Sequence, residues 1–147
     1  MRILHTSDWH LGAVDNEHSL LEDQHFFIKH ICDIIVEENI DAVFIAGDIY
    51  DRSVASLEAT RLFDKAMTDI CLDLGVKVFI IAGNHDSAER LSTCNKLLQK
   101  SGLYIKGELD KNIGPLVIDN TQIYMLPWIT TEKVRSVFLD DANQIRN

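Results

Sequence analysis

The amino-acid sequence predicts an α/β fold, in which a mainly parallel β-sheet is flanked by helices. Short β-rich runs alternate with segments of helical periodicity over the first hundred residues, which is the order that βαβ units produce. Two of these runs, 42–46 (AVFIA) and 78–82 (VFIIA), are almost continuously apolar. Strands of a parallel sheet that is covered on both faces have this composition.

The strands are predicted in two groups. The first group is 2–6, 42–46 and 78–82, and each of these strands runs directly into polar residues. We expect His5 to be a core residue of the first strand. The second group follows Gly102 and comprises 103–107, 115–119 and 122–128, with a tight turn at Asn120-Thr121.

Three helices are predicted, over 20–38, 56–74 and 88–101. Ser19 and Glu22 have the spacing of a capping box at the start of the first helix. Gly75 and Gly102 are expected to end the second and third helices. The apolar face of helix 56–74 suits either packing on the sheet or a homodimer contact, and the tail 130–147 begins amphipathic and ends polar.

Composition is typical of one domain with a substantial core. The chain has 147 residues, of which 46% are hydrophobic. No apolar run approaches the ~18 residues of a membrane span, and the N-terminus resembles no signal segment, so we expect a cytoplasmic protein without membrane contact. The three cysteines show no CxxC spacing, and we interpret them as reduced thiols.

The net charge of −9 taken alone argues against nucleic-acid binding, because phosphate contacts require Lys and Arg. Carboxylates that bind divalent cations are locally neutralised, however, so the net charge is only weak evidence against nucleic-acid binding.

Polar clusters follow the three strands of the first group. The carboxyl ends of parallel strands meet at one edge of a sheet, where α/β proteins bind their ligands. We therefore expect these side chains to share one cleft: Asp8 and His10, then Asp48 and Asp51, then Asn84, His85 and Asp86.

Carboxylate, amide and imidazole groups favour Mn²⁺, Mg²⁺, Fe²⁺ or Zn²⁺. Asp8 and His10, two positions apart, can reach one ion, and a carboxylate such as Asp48 can bridge two ions. Asn84 offers a neutral oxygen to the second ion, and two ions ~3.5–4 Å apart activate water and bind a phosphoryl group. Gly83 leaves room for close approach, and we expect a larger residue there to harm activity more than the fold.

Neighbouring residues have two interpretations each. Asp51 and Asp86 orient a ligand or cap a helix. Arg52 and Arg90 contact phosphate, or are solvated or helix-pairing side chains. Trp9 packs in the core or lies near the substrate.

The motifs DWH at 8–10, GDIYD at 47–51 and GNHD at 83–86, in this order, resemble the DxH–GDxxD–GNHD signature of the calcineurin-like metallophosphoesterases. The flanking segments LHTSDWHLG, LLEDQ, AGDIYDR and AGNHDSAERL are similar to a bacterial DNA-nuclease branch of this family, which is related to the archaeal and eukaryotic double-strand-break repair nuclease. The resemblance covers roughly residues 1–130.

The resemblance implies a role for each motif residue. Asp8 and His10 would bind the first metal, Asp48 both metals and Asn84 the second, while His85 would act as the acid. Mn²⁺ is the usual ion of this branch, and Mg²⁺ is an alternative. The implied reaction is in-line hydrolysis of DNA phosphodiesters without a covalent intermediate. An ATPase partner subunit, homodimerisation and a location near the nucleoid are also implied.

The sequence departs from the family at its C-terminal side. The family completes its metal shells with later histidines, including a GHxH-type motif, whereas no histidine follows His85. We therefore expect 1–147 to be an incomplete nuclease domain, without the later metal motifs, the capping domain and the ATPase-binding region, and to be inactive alone. The alternatives are another phosphoesterase, acting on cyclic nucleotides or phosphoproteins, and a non-catalytic dimerising module.

Overall fold

A computed structural model describes residues 1–139. Its main sheet has four parallel strands: β1 (Ile3–Thr6), β4 (Ala42–Ala46), β5 (Lys77–Ile81) and β6 (Leu103–Lys106), in the order β1-β4-β5-β6. Two small antiparallel hairpins are separate from this sheet. One pairs β2 (Val14–Asp15) with β3 (His18–Ser19), and the other pairs β7 (Leu116–Ile118) with β8 (Thr121–Ile123). The predicted α/β class with a parallel sheet is confirmed.

Helices connect consecutive strands of the main sheet along the chain, and one further helix follows the last hairpin. They are α1 (Leu21–Glu37), α2 (Leu57–Thr68), α3 (Ala88–Leu91), α4 (Asn95–Leu98) and α5 (Thr131–Phe138). A π-helical segment, Asp69–Asp73, extends α2, and a 3₁₀ turn, Gln99–Ser101, extends α4. Among residues 1–139, no helix has the length and apolar character needed to cross a membrane.

The core lies on both faces of the sheet. On one face, the buried residues Ile28, Ile31 and Ile35 of α1 join Leu62 and Ala66 of α2 against the strands. The apolar stripe of the second helix therefore packs in the core rather than being free for a homodimer contact. The opposite face carries a smaller cluster, built around Ala42, Phe79 and Ile123 with the β7–β8 hairpin over it.

Strand limits agree with the prediction to within one or two residues in the main sheet, but three details of the strands differ. The last predicted strand, 122–128, is short, because β8 ends at Ile123. His5 was expected in the core and is exposed, because β1 is an edge strand and His5 lies on the face that the helices do not cover. The hairpin turn consists of Asp119 and Asn120 rather than Asn120 and Thr121, since Ile118 pairs with Thr121 and Asp119 takes the left-handed φ of +52°.

Two helix predictions are wrong in detail. The capping box at Ser19 is absent: the N-cap is Leu20, one residue later, and the Ser19 hydroxyl accepts only a long bond, 3.4 Å, from the Leu21 N–H. The single helix over 88–101 is divided, since Cys94 has a left-handed φ of +59° between α3 and α4. A left-handed non-glycine residue cannot be recognised from helical periodicity.

Candidate metal centre

The loops after β1 and β4 run side by side beyond the strands themselves. The backbone N–H of Asp8 donates to the Gly47 carbonyl at 3.1 Å, and that of His10 donates to the Asp48 carbonyl at 2.9 Å. The N–H of Leu11 then reaches the Ile49 carbonyl at 2.9 Å. Parallel pairing therefore carries the first two polar clusters to the same edge of the sheet, as the sequence predicted.

Left-handed backbone is concentrated at this edge. Asp8, His10 and Asp48 have φ values of +57°, +43° and +50°. Such conformations cost non-glycine residues roughly 1–3 kcal/mol each and persist only where the surroundings impose them. The strain falls on three of the four residues that were expected to bind metal.

One group of potential ligand atoms is formed by Asp8, His10 and Asp48. His10 Nε2 lies 3.8 Å from Asp8 Oδ1 and 4.0 Å from Asp48 Oδ2. The ligand atoms of all three residues lie within 4.8 Å of one another. Two carboxylates and one imidazole at these separations are a donor set that fits a divalent cation.

A second group shares His10 and adds Asp51 and His85. His10 Nδ1 lies 3.7 Å from Asp51 Oδ1, and the rings of His10 and His85 meet edge to face with their centres 4.9 Å apart. These ligand atoms also lie within 4.8 Å of one another. We call the residues of both groups, Asp8, His10, Asp48, Asp51 and His85, the strand-end site. Asp51 does not cap α2, whose N-cap is Ser56.

Asp48 is the most enclosed acid of the strand-end site, with 13% of its side chain exposed. Its Oδ1 accepts a hydrogen bond from the His85 backbone N–H at 2.9 Å, which ties the second polar cluster to the third. Gly83 lies directly against it: a Cβ at Gly83 would be 2.1 Å from Asp48 Oδ1 and 2.3 Å from the Asp48 nitrogen. Only glycine fits here without movement of Asp48.

Asp86 joins two of the loops through the backbone. Its Oδ2 accepts from the N–H groups of Gly83 and Ile49 at 2.9 Å and 3.2 Å, and its Oδ1 accepts from that of Tyr50 at 3.1 Å. The Asp86 carboxylate therefore fixes the loop after β5 to the loop after β4. It supports the site in this way rather than by capping α3, whose N-cap position is Ser87.

His85 is exposed, and its ring is oriented by the backbone. Nδ1 lies 2.9 Å from the Asp51 carbonyl oxygen, so a hydrogen bond at this contact requires the proton on Nδ1. This bond raises the pKa of His85 above its ordinary value, and the charges of Asp48, Asp51 and Asp86 act in the same direction. The carboxylates thus favour the protonated ring.

The remaining predicted residues lie around this centre. Asn84 is exposed in the same loop as His85. Arg52 is exposed, with its Nε 3.7 Å from Asp51 Oδ2, and Arg90 on α3 lines a separate cavity with Tyr50. Trp9 is buried and packs edge to face on Phe27, with ring centres 5.9 Å apart, in agreement with the packing interpretation.

Gln24 on α1 is part of the site's support and was not identified from the sequence. Its side-chain amide bonds to three backbone groups of the loop that carries Asp8 and His10. A signal was present: Gln24 lies four residues before Ile28, on the face of α1 that enters the core. A polar residue on an apolar helix face requires a partner, and the partner here is the loop.

The chain belongs to the calcineurin-like phosphoesterase family, whose sequence profile matches residues 1–144. The resemblance seen in the three motifs is thereby confirmed over almost the whole chain.

The chain is also similar to two staphylococcal proteins, each named as the D subunit of the nuclease SbcCD. Identity to the protein of Staphylococcus saprophyticus is 37% over 142 residues, which cover 97% of this chain and 38% of the relative. Identity to that of Staphylococcus epidermidis is 36% over 140 residues, which cover 95% of this chain and 37% of the relative. The chain thus spans less than two fifths of the length of these relatives.

Proposed function

We propose that this chain is the N-terminal part of the nuclease subunit of an SbcCD-type complex. The complete subunit would pair with an SbcC-type ATPase and form a homodimer. It would act as a double-strand DNA exonuclease and single-strand endonuclease in repair, replication and recombination, close to the nucleoid in the cytoplasm. The support is the family membership and the similarity to two proteins named as nuclease subunits.

The observation that carries the proposal is the convergence of the three motif loops. Ligand atoms from residues far apart in sequence form two groups that share His10. The backbone at Asp8, His10 and Asp48 is held in disfavoured conformations where these groups form. Strain of this kind is typical of functional sites.

Asp8, His10 and Asp48 form a group of donors for one divalent ion, and we infer a second ion beside Asp48. Asp8 and His10 would hold the first, Asp48 both, and Asn84 the second, with Asp51 orienting His10 or adding an oxygen. Oxygen and imidazole donors suit Mn²⁺, with Mg²⁺ as the alternative. When bound, the ions would supply charge neutralisation at the phosphate and activation of the attacking water.

The protein's own groups contribute proton transfer and orientation. His85, whose pKa is raised by its contact with the Asp51 carbonyl, would donate a proton to the leaving oxygen or stabilise charge at the phosphate. Arg52, with its Nε 3.7 Å from Asp51 Oδ2, and Arg90, which follows the loop after β5 on α3, would be the candidates for contacts with flanking phosphates. The later histidines of the family would complete the metal shells in the longer protein, and we expect the 147 residues alone to be inactive.

Binding of Mn²⁺ to the 147-residue chain tests the site directly. We expect electron paramagnetic resonance to show saturable Mn²⁺ uptake, weakened at least tenfold by Asp48→Asn, because loss of groups that merely support a ligand already costs about 10–100-fold in metal affinity. Asp33→Asn, which removes the same charge from an exposed position on α1, is the matched control. Stable dimers that take up no Mn²⁺ would support the non-catalytic alternative.

The substrate is tested in the gene product that carries this chain, assayed with its ATPase subunit and Mn²⁺. We expect cleavage of hairpin DNA that is lost with Asp48→Asn. Hydrolysis of bis-p-nitrophenyl phosphate without any cleavage of DNA would instead support a phosphoesterase for small substrates.

A further inference from the structure

Gln24 of α1 is bonded to the loop after β1, residues 7–13, which we call the first loop. Its Nε2 donates to the His10 carbonyl at 2.7 Å and to the Trp9 carbonyl at 3.3 Å. Its Oε1 accepts from the Gly12 N–H at 3.0 Å. One side chain therefore uses both ends of its amide on three backbone groups of the first loop.

The first loop needs such support because of its conformation. Asp8, His10 and Gly12 all have a positive φ, at +57°, +43° and +87°. For Asp8 and His10 this backbone is disfavoured by contact of Cβ with the following carbonyl. It persists only where hydrogen bonds and packing leave no alternative.

The bonds between the two loops do not reach two carbonyls of the first loop. The N–H groups of Asp8, His10 and Leu11 bond to carbonyls of the loop after β4. The carbonyls of Trp9 and His10 take no part in these bonds, although that of His10 accepts from the Ala13 N–H at 2.9 Å within the first loop. Gln24 donates to both carbonyls, so it ties the first loop to α1.

Glutamine is suited to this position by its chemistry. The first loop presents two acceptors and one donor, and a neutral amide supplies the complementary donors and acceptor. Glutamate would retain the acceptor for the Gly12 N–H. Its second carboxylate oxygen, however, would face the carbonyl oxygens of Trp9 and His10 and repel them. A hydrocarbon side chain would satisfy none of the three groups.

We propose that Gln24 is a positioning residue for the metal centre: it fixes the His10 backbone so that the imidazole stands beside Asp8 and Asp48. This inference rests on the proposed function, in which His10 binds metal. Gln24 itself does not touch the metal or the substrate in this proposal; it acts through the first loop.

Gln24→Glu separates positioning from simple electrostatics. A new negative charge near a cation site strengthens cation binding if charge alone matters. Loss of the two donor bonds has the opposite effect, since each buried hydrogen bond changes an equilibrium by roughly 2- to 10-fold. We expect Mn²⁺ affinity of the 147-residue chain to fall about tenfold. Gln122→Glu, which adds the same charge on exposed β8, should leave the affinity unchanged.

Amide hydrogen exchange of the metal-free chain is the second measurement. We expect the N–H of His10 and of Leu11, which bond to the loop after β4, to exchange about tenfold faster in Gln24→Glu, with the N–H groups of β5 unchanged. Gln24→Asn, which keeps the amide but is shorter by one methylene, should behave in the same way and replaces Gln24→Glu if that variant does not fold.

The outcomes distinguish the two proposals. Wild-type Mn²⁺ affinity in a folded Gln24 variant, or equal exchange at His10 and Leu11, overturns the role of Gln24. Absence of Mn²⁺ uptake by the wild-type chain contradicts the proposed function, and the exchange rates then decide whether Gln24 positions the first loop. Lower thermal stability with unchanged Mn²⁺ affinity would show that Gln24 is only structural.

Discussion

Gly83 and Asp48 lie too close together for any side chain to fit between them, which makes Gly83→Ala an informative substitution. An added Cβ would stand 2.1 Å from Asp48 Oδ1 and 2.7 Å from its Cγ. It would also stand 2.3 Å from the Asp48 backbone nitrogen. Carbon atoms in ordinary contact are about 3.5–4.0 Å apart, so both the Asp48 carboxylate and its backbone must move by about 1 Å. The backbone at Gly83 does not have a positive φ, so the methyl group itself is the whole perturbation.

The expected result is a larger effect on metal binding than on the fold. Overpacking costs about 1–3 kcal/mol, which lowers Tm by roughly 2–4 °C per kcal/mol in a chain of this size. Displacement of a metal ligand should weaken Mn²⁺ binding by about 10- to 100-fold, in the range found when metal sites lose their support. Calorimetry of unfolding and Mn²⁺ titration of the same preparation measure both effects.

Gly75→Ala is the matched control for this substitution. Gly75 ends the second helical segment with a φ of +70°, and nothing lies within 4 Å of a Cβ added there. Alanine should lose about 1 kcal/mol to the left-handed backbone and leave Mn²⁺ affinity unchanged. A folded Gly83→Ala protein with wild-type Mn²⁺ affinity would refute the reasoning, since Asp48 would then tolerate the displacement or not bind metal.

Three further predictions concern other parts of the fold. Ser56→Ala removes the N-cap bond to α2 and should destabilise the protein by about 1 kcal/mol in urea titrations, with Mn²⁺ affinity unaltered. Burial raises the pKa of the Cys71 thiol to about 11. Alkylation at pH ~8, followed by peptide mass spectrometry, should therefore find the exposed Cys94 modified before Cys71. The reverse order would contradict the burial of Cys71. Burial, with the charge of Asp86, raises the pKa of Tyr50 to about 12. The neutral phenol therefore stabilises the fold below pH ~10, and this contribution is lost as the pH rises through about 12. Phenolate absorbance should show one tyrosine that titrates late.

The arrangement of the main sheet could be predicted from the sequence, because each strand is an apolar run followed by a polar cluster. The segments 42–46 and 78–82 became β4 and β5 with nearly unchanged limits. Parallel pairing at that edge follows from the βαβ order, so the neighbourhood of Asp8, Asp48 and His85 was foreseeable before any distance was known.

What could not be predicted depends on single backbone angles and on contacts between distant residues. Nothing in the composition around Cys94 indicates a left-handed residue, and that one angle divides a predicted helix in two. The three backbone bonds accepted by Asp86 join loops that are far apart in sequence, which no local pattern reveals. Gln24 could have been recognised only by asking what a polar residue on the core face of α1 binds.

The acidic character of the chain and its proposed substrate are reconciled by the position of the carboxylates. Three aspartates, Asp8, Asp48 and Asp51, lie around His10, and all have carboxylate oxygens within 4.0 Å of its ring nitrogens. Negative charges this close repel one another and repel phosphate, at a cost that bound cations remove. Under the proposed function the same residues therefore oppose DNA binding when free of metal and favour it when loaded. The net charge of −9 then describes the metal-free chain, whereas DNA would meet the metal-loaded protein, whose site is less negative.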